Sequence, residues 1–436
     1  MNINPVVRIN RDFSTIDDEA QFVFGEHQYL YDNNGKKYID YCGGIWNIPF
    51  GYTNPIIVEK ITAQLNKLPF CNLITHVSDI QYNYAVRLNK ILGTNSILYT
   101  CSGSEAIEAA IKVCRKYQKL KNKSARSVSA FSLSYHGTSY GAMSISGIDK
   151  NAASDYNPLL GGIEWIQLPH DLENIQLWME SIESHFEKNA DRLAGVIIEP
   201  ILGSGGIINV PLCVIQKIKE NCDRHDIVLV FDEVTTGFGR TGVPFIYQKY
   251  DIMPDLICLS KGITNGYLPL GVLAFSNKIT EVFAANHAGL EHFSTQGGNL
   301  LSVAAADAVL DIMQNYDEFE VLKKGEHFKR QLSEYLSPYP DVKIRGFGMM
   351  LAISFPKQTK EYLLLEIWRK LESHGILVYV FNNPGYNIGF SMFPPFTSSP
   401  DELSKSAKII TQTLKRYPEI LFRKGNMNNE NQTSDN

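Results

Sequence analysis

Residues 227–261 read IVLVFDEVTTGFGRTGVPFIYQKYDIMPDLICLSK, and this stretch decides the fold. It holds two short aliphatic and β-branched runs, at 227–231 and 256–259. Each is too short for a lone helix and has the composition of a parallel strand buried on both faces. Each ends on a charge: Asp232 follows the first run and Lys261 closely follows the second. In an open α/β sheet the ligand crevice lies outside the carboxyl ends of the strands. The stretch therefore predicts a carboxylate and an amine facing one crevice.

Outward from it, strand-like and helical patterns alternate. A helical stretch over 79–92 leads into the strand SILYT at 96–100. CSGSEAIEAAIKVCRKYQKL follows, with Ala106, Ala109, Val113 and Tyr117 on one stripe of a helix. Further strand-like runs lie at 128–133 and 195–198. Alternation of this kind predicts an α/β fold, a mostly parallel sheet covered by helices on both faces. Upstream, QYLYDNNGKKYIDY reads as a hairpin on an Asn-Asn-Gly turn. The next helix carries Ile57, Val58, Ile61 and Leu65 as its apolar stripe. An Ala-rich helix over SVAAADAVLDIMQNY (302–316) bridges to two helical stretches around the strand-like RGFGMMLAISF, a smaller α+β unit. The expected division is an N-terminal segment (1–75) joining the small domain, a large domain (76–318), a small domain (319–425) and a disordered tail (426–436).

Bulk properties narrow the function. The chain has 436 residues, 44% of them hydrophobic and 20% charged, which fits a globular protein and excludes a disordered one. A net charge of −5 points away from nucleic acid and anionic membranes as partners. No run reaches the roughly 20 apolar residues of a membrane span, and the N-terminus lacks the apolar core of a signal peptide. The seven cysteines include no CxxC pair. They read as reduced, mostly buried thiols of a cytoplasmic protein, with no metal site.

Several strand ends carry chemistry. A buried lysine in a Schiff base, with a carboxylate on a pyridinium nitrogen, is how proteins hold pyridoxal phosphate (PLP). Ser102-Gly103-Ser104 follows a strand and opens a helix, where unpaired N–H groups suit a phosphate. Ser102 and Glu105 equally fit a capping box. Tyr135-His136-Gly137 offers a ring that could stack on a flat cofactor. Glu199 stands before a Gly-rich loop, and Thr295 before the Ala-rich helix. Trp46 lies in a loop that could line a pocket.

Two other readings compete. Gly137-Thr138-Ser139-Tyr140-Gly141 matches the G-x-S-x-G nucleophile elbow of serine hydrolases, and Asp232 and His292 follow in the right order. Against it, AMSISG is a poor helix opening, no HGGG-type loop is present, and Lys261 is left without a role. VLVFDE resembles the acidic strand of a nucleotide hydrolase, but the G-x-x-x-x-G-K-[ST] loop is absent.

SGSEA at 102–106, YHG at 135–137, EPILGSGG at 199–206, DEVTTGFGRTG at 232–242, SKGITNGYLPLG at 260–271, STQGGN at 294–299 and RGFGMML at 345–351 come in a specific order. In that order they resemble the class III aminotransferases, PLP enzymes of fold type I. IWNIPFGY and GYLPLG look most like the ω-transaminase branch. The resemblance implies a ping-pong exchange between an amine or amino-acid donor and a carbonyl acceptor. Relatives that act as epimerases or aminomutases keep the cofactor and return the nitrogen to the same molecule. Lys261 would form the Schiff base and carry the proton. Asp232 would pair with the ring nitrogen. Ser102, Gly103 and Ser104 would hold the phosphate. Tyr135 and Val234 would cover the two ring faces, with His136 and Glu199 beside the cofactor. Thr295 would reach the phosphate of a second subunit, implying a homodimer with shared sites. Trp46 would line the substrate pocket.

Two departures stand out. Many members have Gln where this chain has Thr235. Many carry a carboxylate-binding arginine about ten residues before a Pro-Pro pair; here FNNPGYNIGFSMFPP puts Asn383 or a neighbour in its place. Arg240 is the candidate replacement cation. Losing a bidentate arginine is a large change in recognition.

Overall fold

The computed structural model describes residues 21–422. The tail expected at 426–436 and the extreme N-terminus lie outside the described residues. The chain opens with β1 (Phe22–Glu26), β2 (Tyr29–Asp32) and β3 (Lys37–Asp40), an antiparallel meander. The Asn-Asn-Gly turn forms as read, because Asp32 Oδ1 accepts the N–H groups of Asn34 and Lys36, each at 2.9 Å.

The central sheet is built from β4 (Ser96–Thr100), β5 (Ser127–Phe131), β6 (Ile163–Ile166) and β7 (Leu193–Ile198). A short ribbon, β8 (Ile201–Leu202) and β9 (Ile208–Asn209), interrupts before β10 (Val228–Asp232), β11 (Leu256–Leu259) and β12 (Gly271–Phe275). The seven strands run β4-β12-β11-β10-β7-β5-β6. All are parallel except β12, which is antiparallel to both neighbours. Along β10, Val228 and Val230 face one apolar layer with Ala106, Ala109 and Val113 of the helix Gly103–Leu120. Leu229 and Phe231 face the other, with helices Leu212–His225 and Leu300–Gln314. Burial on both faces is why these runs lack polar alternation.

The last sheet comes from the C-terminal region. It uses β13 (Lys343–Phe347) and β14 (Met350–Phe355). β15 (Ile376–Leu377), β16 (Tyr379–Asn383) and β17 (Asn387–Met392) follow. The order is β13-β14-β17-β16, while β15 leaves to pair in parallel with β3. N-terminal and C-terminal segments thus share one sheet.

Some expectations need correction. The strand expected over 128–133 ends at Phe131, and RGFGMMLAISF is a hairpin, because Gly348 takes a left-handed φ of +57° that only a turn uses. Of the stripe on helix Pro55–Lys67, Ile57 is buried, but Val58 and Leu65 are 43% and 52% exposed. AMSISG (142–147) opens no helix, as expected: a single turn at Tyr140–Ser144 begins before it and ends inside it. Three of the seven cysteines, Cys114, Cys222 and Cys258, are buried and Cys213 is exposed.

Candidate active site

The carboxyl ends of β4, β5, β7, β10 and β11 meet on one side of the sheet, and each delivers a side chain of the site. Asp232 closes β10. Its Oδ2 lies 2.8 Å from His136 Nδ1, and its Oδ1 accepts the Val234 N–H at 3.0 Å. His136, on the loop after β5, is held by its own N–H bonded to Ser146 Oγ at 2.8 Å. Glu199 follows β7. It accepts the Tyr135 N–H at 2.9 Å and the Gly203 N–H at 3.0 Å, which ties two loops to one carboxylate. Burial pushes the Glu199 carboxyl up to about 7; the His136 ring opposes this and Asp232 adds to it.

Lys261 sits two residues past β11 at a φ of +49°, a left-handed conformation costly for a side-chain-bearing residue. Its amine donates to Thr235 Oγ1 at 2.7 Å and lies 4.6 Å from the Trp46 ring centroid. Crowding out of water pulls the amine down to about 8, against the holding charges of Asp232 and Glu199. The stretch at 227–261 therefore does bring Asp232 and Lys261 into one crevice.

Trp46 is presented by an unusual turn. Gly43, Gly44, Ile45 and Trp46 have φ of 56°, 58°, 55° and 69°, four left-handed residues in succession. The buried Asp40 carboxylate holds this turn, accepting the N–H groups of Cys42, Gly43 and Gly44 at 2.9, 3.1 and 2.8 Å and the Tyr52 hydroxyl at 2.6 Å. Trp46 then stacks on Phe393, with centroids 4.7 Å apart. Sequence reasoning missed Asp40; its signal was an acid just ahead of a Gly-Gly pair.

Ser102 caps the helix Gly103–Leu120, its hydroxyl accepting the Glu105 N–H at 3.2 Å. The first N–H groups of that helix have no intrahelical partner by position. The cradle is tight: a methyl at Gly103 would stand 3.1 Å from Val234 Cγ2 and 3.3 Å from Ser260 Cβ. One at Gly137 would collide with Ser104 Oγ. A glycine-lined helix start, a desolvated amine and a carboxylate on a histidine make the donor set that PLP needs. His136 Nε2 is buried with no partner among the described residues.

The remaining residues lie further out. Arg240 is 1% exposed; its Nη1 donates to the Pro394 carbonyl at 2.8 Å, and burial pulls it down to about 9. Asn383 is buried, donating to Asn387 Oδ1 at 2.8 Å and to the Ser204 carbonyl at 3.3 Å. Two residues not singled out from sequence complete this clasp: Asn387 donates to the Gly205 carbonyl at 2.8 Å and Arg345 Nε to that of Gly206 at 2.7 Å. Thr295 is exposed, next to Ser294, whose hydroxyl lies 3.2 Å from Cys101 Sγ at the end of β4. The hydrolase constellation is not assembled: Ser139 is exposed, Asp232 faces His136, and His292 lies 3.2 Å from Lys112 Nζ.

Comparison with known proteins agrees with this arrangement. The family model described as "Aminotransferase class-III" matches residues 19–414. The acetylornithine aminotransferase of Clostridium acetobutylicum is 31% identical, over 90% of this chain and 95% of that protein. The adenosylmethionine-8-amino-7-oxononanoate aminotransferase of Helicobacter pylori is also 31% identical, over 88% and 90%. Among solved structures, a PLP-bound amine transaminase from an uncultivated Pseudomonas species superposes with a TM-score of 0.87 at 27% identity, covering 95% of this chain and all of that one. The chain belongs to the class III aminotransferases, PLP-dependent transaminases of fold type I.

Proposed function

We propose that Lys261 is the proton carrier of this aminotransferase, which takes nitrogen from a primary amine or amino acid and delivers it to a carbonyl acceptor in two half-reactions. The observation that carries this is the Lys261 amine just past β11, 2.7 Å from Thr235 Oγ1 and 4.6 Å from the Trp46 ring centroid, where burial pulls it down to about 8 against the charges of Asp232 and Glu199. PLP bound there supplies an electron sink that makes the donor's Cα–H acidic. A lysine titrating near neutrality can accept that proton and return it. Asp232, oriented by His136, would hold a proton on the ring nitrogen of bound PLP. The N–H groups of Ser102, Gly103 and Ser104 and the serine hydroxyls would receive the phosphate. Tyr135 and Val234 would cover the two faces of the ring, and Trp46 would wall the substrate side. The hairpin β16–β17 offers Asn383 and Asn387 rather than an arginine, so a substrate carboxylate received there would lack a bidentate guanidinium from that hairpin.

The assembly in this reading is a homodimer in the cytoplasm. Phe70, Ile74 and Val77 are 41%, 67% and 59% exposed, an apolar surface that calls for cover. It adjoins Thr295: Gln81 Nε2 bridges to the Gly298 carbonyl at 2.8 Å from the helix that follows this surface. A partner seated there would receive Thr295 at its own phosphate. No helix among the described residues is long and apolar enough to cross a membrane.

Borohydride reduction of the yellow holoprotein, followed by peptide mass spectrometry, tests the lysine; the label is expected on Lys261. Donor alone should then yield stoichiometric pyridoxamine phosphate. Label on another residue overturns the site. Solvent deuterium entering a racemised donor, with no pyridoxamine phosphate, would make the protein an epimerase.

A further inference from the structure

Thr235 stands where many relatives carry Gln, and the structure gives it a defined posture. The Val234 N–H bonded to Asp232 Oδ1 folds the chain back over the end of β10. Thr235, 8% exposed, then faces the loop after Glu199: a methyl at Gly203 would lie 3.3 Å from Thr235 Cγ2 and 3.4 Å from Trp46 Cζ3. A β-branched side chain has few χ1 choices. With the Thr235 methyl turned to Gly203, its hydroxyl is left facing Lys261 Nζ, 2.7 Å away.

We infer that Thr235 is a positioning residue for the Lys261 amine, accepting one of its N–H bonds and so fixing where the nitrogen's remaining bonds and lone pair point. This rests on Lys261 being the proton carrier. The charged groups facing that amine are Asp232 at the end of β10 and Glu199 after β7, with His136 bonded to Asp232. A hydroxyl orients the amine without adding a third negative charge. It also stabilises the ammonium modestly, because a hydrogen bond to a charged group is stronger than one between neutral groups. Removing the acceptor should therefore lower the amine's titration midpoint and leave its lone pair free to wander.

The test compares wild type, Thr235→Val, which keeps the methyl packing, and Thr235→Ser, which keeps the hydroxyl. On the apoprotein, competitive acetic anhydride labelling across pH, read at the Lys261 peptide by mass spectrometry, gives the titration without any turnover. The valine variant is expected to titrate about one pH unit lower, and the serine variant near wild type. On the holoenzyme, the half-reaction with an α-deuterated amine donor should be about tenfold slower in the valine variant, with a larger isotope effect, little change in KM, and rescue by serine. Should the valine protein not fold, Thr235→Ala carries the same comparison. A valine variant with the wild-type midpoint and Cα–H rate, or a serine variant that behaves like valine, overturns the inference. Wild-type turnover in Lys261→Ala would instead refute the lysine's role, a separate result.

Discussion

Gly103→Ala separates holding the phosphate from holding the fold. Gly103 opens the helix Gly103–Leu120, and alanine is preferred to glycine in helices by about 1 kcal/mol. Its new methyl would stand 3.1 and 3.2 Å from the two Val234 methyls and 3.3 Å from Ser260 Cβ. Crowding of that kind costs about 1–3 kcal/mol. The two effects oppose, so the apoprotein should lose no more than about 2 kcal/mol. Phosphate binding has no compensating gain. A cup pushed open at its first N–H loses a charge-assisted hydrogen bond of about 1.5–3 kcal/mol, an affinity loss of about 10- to 150-fold. Urea unfolding of the apoprotein measures the first quantity; titration of the apoprotein with PLP, followed by absorbance, measures the second. Unchanged PLP affinity in a folded Gly103→Ala protein would refute the assignment of the phosphate to this helix start.

Other consequences are as direct. Lys261 in the folded apoprotein titrates near 8 instead of 10.5, so the unfolded chain binds the extra proton between those values and stability rises with pH across that window. Lys261→Met removes this dependence, and its stability advantage over wild type should shrink from pH 8 to 10.5 in thermal melts. Arg240→Ala should destabilise by about 3–5 kcal/mol, by cavity formation and an unsatisfied Pro394 carbonyl. The gentler Arg240→Lys should leave unchanged the kcat/KM ratio between carboxylate-bearing and carboxylate-free acceptors; a shifted ratio would give Arg240 a substrate role. Asn387→Leu strips the Gly205 carbonyl of its donor and should cost about 1–3 kcal/mol, with faster hydrogen exchange confined to 203–207; uniform exchange would refute the clasp. Ile74→Glu should convert a dimer to a monomer in light scattering, and an unchanged mass would refute the proposed interface.

The site was legible in sequence where chemistry sits at strand ends. Asp232 and Lys261 could be read because buried parallel strands are short, uniformly apolar and end abruptly on a charge. The direction of β12 could not be read, because GVLAF is buried on both faces and carries no mark of which way it runs. The stripe on helix Pro55–Lys67 misled because Val58 and Leu65 are apolar without facing this chain's core. Two glycines announced a turn before Trp46, but nothing local required Ile45 and Trp46 to continue it left-handed; Asp40 imposes that. Thr235 looked like a simple departure from relatives until its hydroxyl was placed against an amine 26 positions away. Asn383 read as a missing cation; in the fold it fastens a loop of carbonyls, a role only three-dimensional neighbours reveal.

The reversed strand β12 has a geometric consequence. The chain leaves β11, passes Ser260 and Lys261, and returns as β12 between β11 and β4. Gly271, at its start, is so close to the Ser102 carbonyl that any side chain there would collide with it. The separation between the amine and the helix start is thus gauged by one local hairpin, like the fixed jaw of a caliper. Insertions at the edges of the molecule can vary without touching that gauge. Because β12 is paired to both β11 and β4, that spacing is held by the ladders and by the missing side chain at Gly271, so a residue larger than glycine there would push the helix start and the lysine apart.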